Sequence, residues 1–171
     1  MRYEIYGPYN VPRNGRWVSR HRDDKREFWD DVHADVECLP GAYGCYLFAI
    51  RGRIWYVGLA ERQSFERECF ALHKIVQYNE ALQRVSGQPS LLFIPKITPG
   101  DRFARPSRNG HGDIRFLESL IMGIAIRRNP DLQNIRNTRL LREMNVPGIL
   151  NTRRGQARWG AVQDMKRVLG I

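Results

Sequence analysis

Two runs rich in aromatic and β-branched residues, GCYLFAIR (Gly44–Arg51) and RIWYVG (Arg53–Gly58), meet at one glycine, Gly52. Side chains of this kind pack well on a pleated surface, and two such runs divided by a glycine predict a β-hairpin. A third run, PSLLFIPKIT from Pro89 to Thr98, reads as a strand. Its Pro95 has no N–H for a ladder and predicts an edge or a strand end.

Around these strands the chain reads as helix and loop. The turn-rich YGPYNVPRNGR suggests a loose N-terminal arm, followed by a surface helix with Phe28, Trp29, Val32 and Val36 on its apolar stripe. One helix is expected from about Ser64 to Val85. TPGDRFARPSRNGHG, full of Gly, Pro and Arg, is expected to be a loop. An apolar helix from about Asp113 to Arg127, a short TRLLREM helix and a basic terminal helix in RWGAVQDMKRVLG follow. The order is β-β-α-β-α with extra helices at both ends. It divides into an arm and helix (1–39), a core (40–135) and a basic helical extension packed on it (136–171).

The chain has 171 residues, one domain's worth, and 42% apolar residues are enough for a real core. No run of about 18 apolar residues is present to span a bilayer, and the N-terminus lacks the apolar stretch of a signal peptide. A soluble, cytoplasmic protein with no membrane partner is expected. Cys38, Cys45 and Cys69, odd in number and without a C-x-x-C pair, read as small buried hydrophobes rather than a disulfide or zinc framework.

Charge points to the partner. The 28 Lys and Arg against 18 Asp and Glu give +10, which favours a polyanion such as nucleic acid. From Arg127 onward there are ten basic residues against three acids, so +7 of the +10 lies in the C-terminal quarter. Arg153, Arg154 and Arg158, beside Trp159, are the expected nucleic-acid contacts there. The same segment also reads as a packed helix with Trp159, Val162, Met165 and Leu169 on its apolar stripe, one role for each face.

On a helical wheel with Arg67 at zero, Phe65, Cys69, Leu72 and Val76 gather between roughly 140° and 200°. Lys74 and Tyr78 fall within about 20° of Arg67, so this helix is expected to pair a core face with a cationic one. Such a face suits phosphate, and an ordinary solvated face explains the pattern equally well. His73 lies between the two. Further on, FLESLIMGIAI, from Phe116 to Ile126, is apolar all round apart from Glu118 and Ser119, and so is expected to be central. The only basic neighbour of Glu118 along the helix is Arg115, three residues earlier. A buried lone carboxylate costs several kcal/mol unless it is paired, protonated or bound to a cation, and hard divalent ions prefer carboxylate oxygen. Exposure in the helix's first turn is the other way to relieve that cost.

Together these residues resemble the GIY-YIG nuclease family. Its first motif corresponds to Gly41-Ala42-Tyr43 and its second to Tyr56-Val57-Gly58, with twelve residues between the two tyrosines. Arg67 follows on the next helix where the family has its arginine, Glu118 stands where it has its metal-binding glutamate, and Asn134 matches its late asparagine. The resemblance runs from Gly41 to Asn134. It implies a small α/β (α+β) domain whose three-stranded antiparallel sheet is flanked by helices, and a phosphodiesterase working with one divalent ion, Mg²⁺ or Mn²⁺. Carried over residue by residue, Glu118 would ligate the metal, Arg67 would stabilise charge on the phosphate, and Tyr43 or Tyr56 would orient or deprotonate the attacking water. His73 would serve as a second base or phosphate contact, Lys74, Tyr78 and Asn134 would touch nucleic acid, and Gly41 and Gly58 would be structural, Gly58 allowing close backbone approach. Ala42 replaces the usual isoleucine, and Arg62 competes for the arginine position.

The expectation is therefore a divalent-metal-dependent endonuclease acting on DNA, with RNA left open. The alternative is a non-catalytic nucleic-acid-binding module on the same fold. Another nuclease pattern, Pro130-Asp131 with Asp164-Met165-Lys166, needs its second acid and lysine on a strand, whereas AVQDMKRVL has helical spacing.

Overall fold

In a computed structural model that describes residues 2–107, 109–134 and 138–171, the chain begins with four short strands, β1 (Arg2–Tyr3), β2 (Tyr6–Asn10), β3 (Arg13–Asn14) and β4 (Trp17–Val18). Helix α1 (Arg22–Asp35) leads to the hairpin β5 (Gly44–Ile50) and β6 (Arg53–Ala60). Helices α2 (Phe65–Cys69) and α3 (Leu72–Arg84), strand β7 (Pro89–Ile97), and helices α4 (Gly112–Arg128), α5 (Thr138–Glu143) and α6 (Gly160–Leu169) complete the chain. The fold is mixed α/β with antiparallel sheets. The expected boundary between residues 135 and 136 lies outside the described residues.

The hairpin forms as its sequence predicts. Ile50 pairs with Arg53, leaving Arg51 and Gly52 as a two-residue turn, both at positive φ. That is the twist a tight hairpin needs, and it explains the glycine. Strand β5 is buried along its whole length between β6 and β7. Its alternating side chains serve two cores. Tyr46 and Phe48 join Tyr56, Phe65, Tyr78, Leu91 and Phe93 on one face, with Phe28 and Trp29 of α1. Cys45 and Leu47 join Val57, Ile94 and the α4 residues Ile114, Met122 and Ala125 on the other.

Several expectations fail here. The sheet has five strands rather than three, because the N-terminal arm is not loose: β1 and β2 pair with the outer edge of β7 and cover its open backbone groups. Pro95 consequently lies in a strand flanked on both sides. The adjacent Lys96 N–H donates to Tyr43 O on the β5 side. Alternation therefore turns the donor-less Pro95 nitrogen toward the gap between β1 and β2, where no ladder bond is needed.

The helix expected from Ser64 to Val85 is two helices. Ala71 is extended (φ −59°, ψ 146°) and breaks it. In one continuous helix Phe65 and Lys74, nine residues apart, would point about 180° away from each other. The break resets the phase. Phe65, Cys69 and Phe70 turn toward the core, Phe70 edge-on to Phe28 and Trp29, while α3 buries Lys74, Ile75, Tyr78, Ala81 and Leu82. Leu72 and Val76, expected inside, are 65% and 42% exposed.

Helix α4 is not central. Ile114, Met122, Ala125 and Ile126 pack inward, but Phe116, Leu120 and Ile124 are 73%, 51% and 60% exposed along one outer stripe. In α6 only Val162 is buried, in contact distance of Gly148, so Trp159 and Leu169 of its expected apolar stripe stay exposed. Among the described residues, no helix is long and apolar enough to cross a membrane.

Candidate functional site

The open edge of β6 is the foundation of a cleft. Among the described residues strand β6 has only β5 as a ladder neighbour, and the segment after α4 covers its other edge. Asn129 Nδ2 donates to Ile54 O at 2.8 Å, and Gln133 N–H donates to Trp55 O at 2.8 Å. The Asn134 amide bonds both backbone groups of Val57: it accepts from the N–H at 2.9 Å and donates to the carbonyl at 2.6 Å. Asn134 therefore imitates a strand residue. Asn134, expected as a nucleic-acid contact, clamps this edge of the sheet and also lines the cleft above it.

A cleft of about 720 Å³ opens above this edge, between α3 and α4. Tyr56, His73, Lys74, Gln77, Arg115, Glu118, Ser119 and Asn134 line it, with Leu59 and Met122 at its apolar base. The sequence thus anticipated five of its members, Tyr56, His73, Lys74, Glu118 and Asn134, from elements far apart in the chain.

At its centre Lys74 Nζ donates to Tyr56 Oη at 2.6 Å and pairs with Glu68 at 3.1 Å. Glu68 is in turn held by the Gln63 amide. Burial would deprotonate Lys74, yet Tyr56 and Glu68 outweigh it and hold its pKa above the ordinary value. For Tyr56, burial dominates and raises the pKa, while the Lys74 ammonium pulls it back down. Helix α4 brings Glu118 to the same cleft. Burial pushes its pKa up, Lys74 opposes that shift, and Glu61 adds to it. Among the described residues Glu118 makes no hydrogen bond or ion pair. The Arg115 guanidinium, at the cleft rim, instead pairs through Nε with Glu61 at 2.8 Å and donates from a terminal nitrogen to Asn109 O at 3.4 Å.

Other expected members lie elsewhere. Arg67 is exposed in a separate cleft beside α1, with Arg22, Lys25, Arg26 and Asp30, because α2 is out of phase with α3. The pocket's cations are Lys74 and Arg115 instead. Tyr78 does not reach the surface: it is fully buried and stacks on Phe48 at 4.1 Å. Tyr43 precedes β5, half-buried, and does not line the cleft. The G-x-Y triplet Gly44-Cys45-Tyr46, one register further along, puts its tyrosine on the strand itself, with the Tyr46 ring 6.1 Å from that of Tyr56. The sequence alone does not give this pairing: a regular hairpin turning at Arg51-Gly52 would set Tyr56 opposite Leu47, on the face of Tyr43, and the register irregularity between Phe48 and Ala49 moves it opposite Phe48, on the face of Tyr46.

The glycine roles shift in the same way. A Cβ at Gly58 would stand 2.0 Å from the Tyr46 ring, so this glycine makes room for an aromatic side chain rather than for a ligand. At Gly41 a Cβ would meet nothing within 4 Å, and no packing requires glycine there. Arg153, Arg154 and Arg158 are exposed, as a binding surface needs.

Among the described residues no three His, Cys, Asp or Glu side chains form a cluster able to cage a metal. Glu118 alone, uncommitted and facing the cleft, suits an ion such as Mg²⁺ that takes one carboxylate and fills its other positions with water and phosphate oxygen. No protein-family model matches the chain, and no curated protein or solved structure matches it.

Proposed function

We propose that this chain is a divalent-metal-dependent endonuclease of the GIY-YIG type, hydrolysing phosphodiester bonds in DNA. The observation that carries the reading is the uncommitted Glu118 carboxylate sharing one cleft with the hydrogen-bonded Tyr56–Lys74 pair. The three adjacent strands β6, β5 and β7, with helices on both faces, support this reading, in which β1 and β2 would be additions to the sheet.

Glu118 would hold the Mg²⁺ or Mn²⁺ ion, which would neutralise charge on the phosphate when bound. Burial keeps Tyr56 a phenol and Lys74 pulls against that, so Tyr56 is the group to orient the attacking water, with Lys74 easing any proton transfer to it. Arg115 and Lys74 take the charge-stabilising role that the resemblance assigned to Arg67. His73, exposed at the rim, contacts the phosphate or relays a proton to solvent. The position of Arg67 outside the cleft is what favours the second reading, a binding module that retains the fold without catalysis.

The test is incubation of plasmid, linear and branched DNA with Mg²⁺ or Mn²⁺, comparing wild type with Glu118→Ala. Cleavage by the wild type that the variant loses is expected. Cleavage surviving in Glu118→Ala would overturn the metal-ligand role, and salt-sensitive binding without cleavage would favour the module.

A further inference from the structure

A second concavity, about 700 Å³, lies on the neighbouring flank of α3. The tip of the β3–β4 hairpin forms one wall with Asn14 and Trp17, and α3 forms the other with Val76, Asn79 and Gln83. Trp17 is a surface indole, 40% exposed, as Trp159 also is, whereas Trp29 and Trp55 are buried. Its position is built rather than incidental. Arg16 donates to the carbonyls of Leu82 and Gln83 at the end of α3 and sets its guanidinium 5.5 Å from the Trp17 ring. Val18 N–H donates to Asn79 Oδ1 at 2.9 Å, which locks the hairpin onto α3 and turns the amide nitrogen of Asn79 away from that bond.

We infer that this groove receives an unpaired nucleobase of the nucleic-acid strand, stacked on Trp17 and met at its edge by the amides of Asn79 and Gln83. The inference rests on the nuclease reading of the adjacent cleft. Three observations select this occupant. A planar aromatic surface beside amide groups matches the face and edge of a base, which a phosphate-binding site does not offer. Arg20 on the groove and Arg22 next to it are exposed, and neither makes a hydrogen bond or ion pair among the described residues, so both are free for the backbone flanking the base. His73 and Gln77 of the cleft alternate along α3 with Val76 and Glu80 of the groove, so one strand crossing a single helix reaches both. A base inside a duplex has no free face, so the groove selects substrates with a single-stranded, flapped or branched segment next to the cleaved bond.

The experiment measures anisotropy of a fluorescein-labelled mixed-sequence oligonucleotide, single-stranded or in duplex, with the full chain in EDTA. Trp17→Ala should weaken single-strand binding about 5- to 150-fold, the range that loss of one base stack implies. Trp17→Phe should retain most of the affinity, and duplex binding should change less than about twofold. Val76→Glu, on the exposed wall, adds a second anion beside Glu80 in the groove without touching the core and should weaken single-strand binding in the same way. The inference is overturned if both Trp17→Ala and Val76→Glu bind the single strand as wild type does, or if single-strand and duplex binding weaken together. Loss of selective binding in these variants with no metal-dependent cleavage by wild type would retain the groove and reject the nuclease reading.

Discussion

Replacing Gly58 by alanine tests the packing beneath the cleft directly. The added Cβ would lie 2.0 Å from Tyr46 Cζ and 2.4 Å from both Cε atoms. Carbon atoms rest at about 3.5 Å, so ring or strand must yield by roughly 1.5 Å. Neither has room: Tyr46 is fully buried, edge-on to Phe65 at 6.3 Å and against Tyr56 at 6.1 Å. Overpacking of this kind costs about 1–3 kcal/mol, only partly offset by the better strand propensity of alanine. For a chain of this size that is a fall in Tm of about 2–12 °C. Equilibrium urea unfolding of Gly58→Ala, Tyr46→Ala and the double variant separates the causes. With the ring gone, the Gly58→Ala step should become neutral or stabilising by up to about 1 kcal/mol. If Gly58→Ala alone lies within 0.5 kcal/mol of wild type, or costs as much without the ring as with it, the glycine serves something other than Tyr46.

Glu118→Gln should raise Tm at neutral pH in the absence of divalent ions. The carboxyl's pKa is raised in the folded state, so its contribution is full below the ordinary carboxylate range of about 4 and is lost as pH rises through the raised value; the advantage of Gln should vanish in acid. Mn²⁺ should stabilise wild type and not the variant, and equal stabilisation of both would remove Glu118 from the metal site. Lys74→Met leaves Glu68 buried without its cation, held only by the Gln63 amide, and should cost about 3–5 kcal/mol in chemical denaturation. Because the folded pKa of Lys74 is raised, its stabilisation is full below about pH 10 and is lost as pH rises through the folded value, so wild type and variant should converge at higher pH. Arg115→Ala should lower cleavage by at least tenfold while Arg67→Ala leaves it within about threefold, and the reverse order would return Arg67 to the site. Removing Arg153, Arg154 and Arg158 together should reduce the salt slope of duplex DNA binding by up to about 2.7, and an unchanged slope would place the footprint elsewhere.

Much of the architecture was readable along the chain. Gly52 between two β-rich runs determined the hairpin, the Phe28, Trp29 and Val32 stripe determined α1, and isolation in an apolar run marked Glu118. These features are local: turn geometry, periodicity and desolvation act over a few residues. Which side chains meet is another matter. The helix wheel placed Leu72 and Val76 inside and Lys74 outside, and the structure inverts both. Inversion follows from a two-residue break at Phe70 and Ala71, where Phe70 packs against α1, an element more than thirty residues earlier.

The sequence by itself determined the composition of the candidate site: a tyrosine on β6, a cation and a histidine on the helical segment that follows, and a lone glutamate on the apolar helix. Only the tertiary structure decided that Lys74 rather than Arg67 faces Tyr56, that Tyr46 rather than Tyr43 stands beside it, and that Asn134 clamps β6. The reason is that periodicity fixes a side chain's direction only relative to its own helix or strand, and a break, a register or an open sheet edge is set by whatever packs against it from elsewhere in the chain.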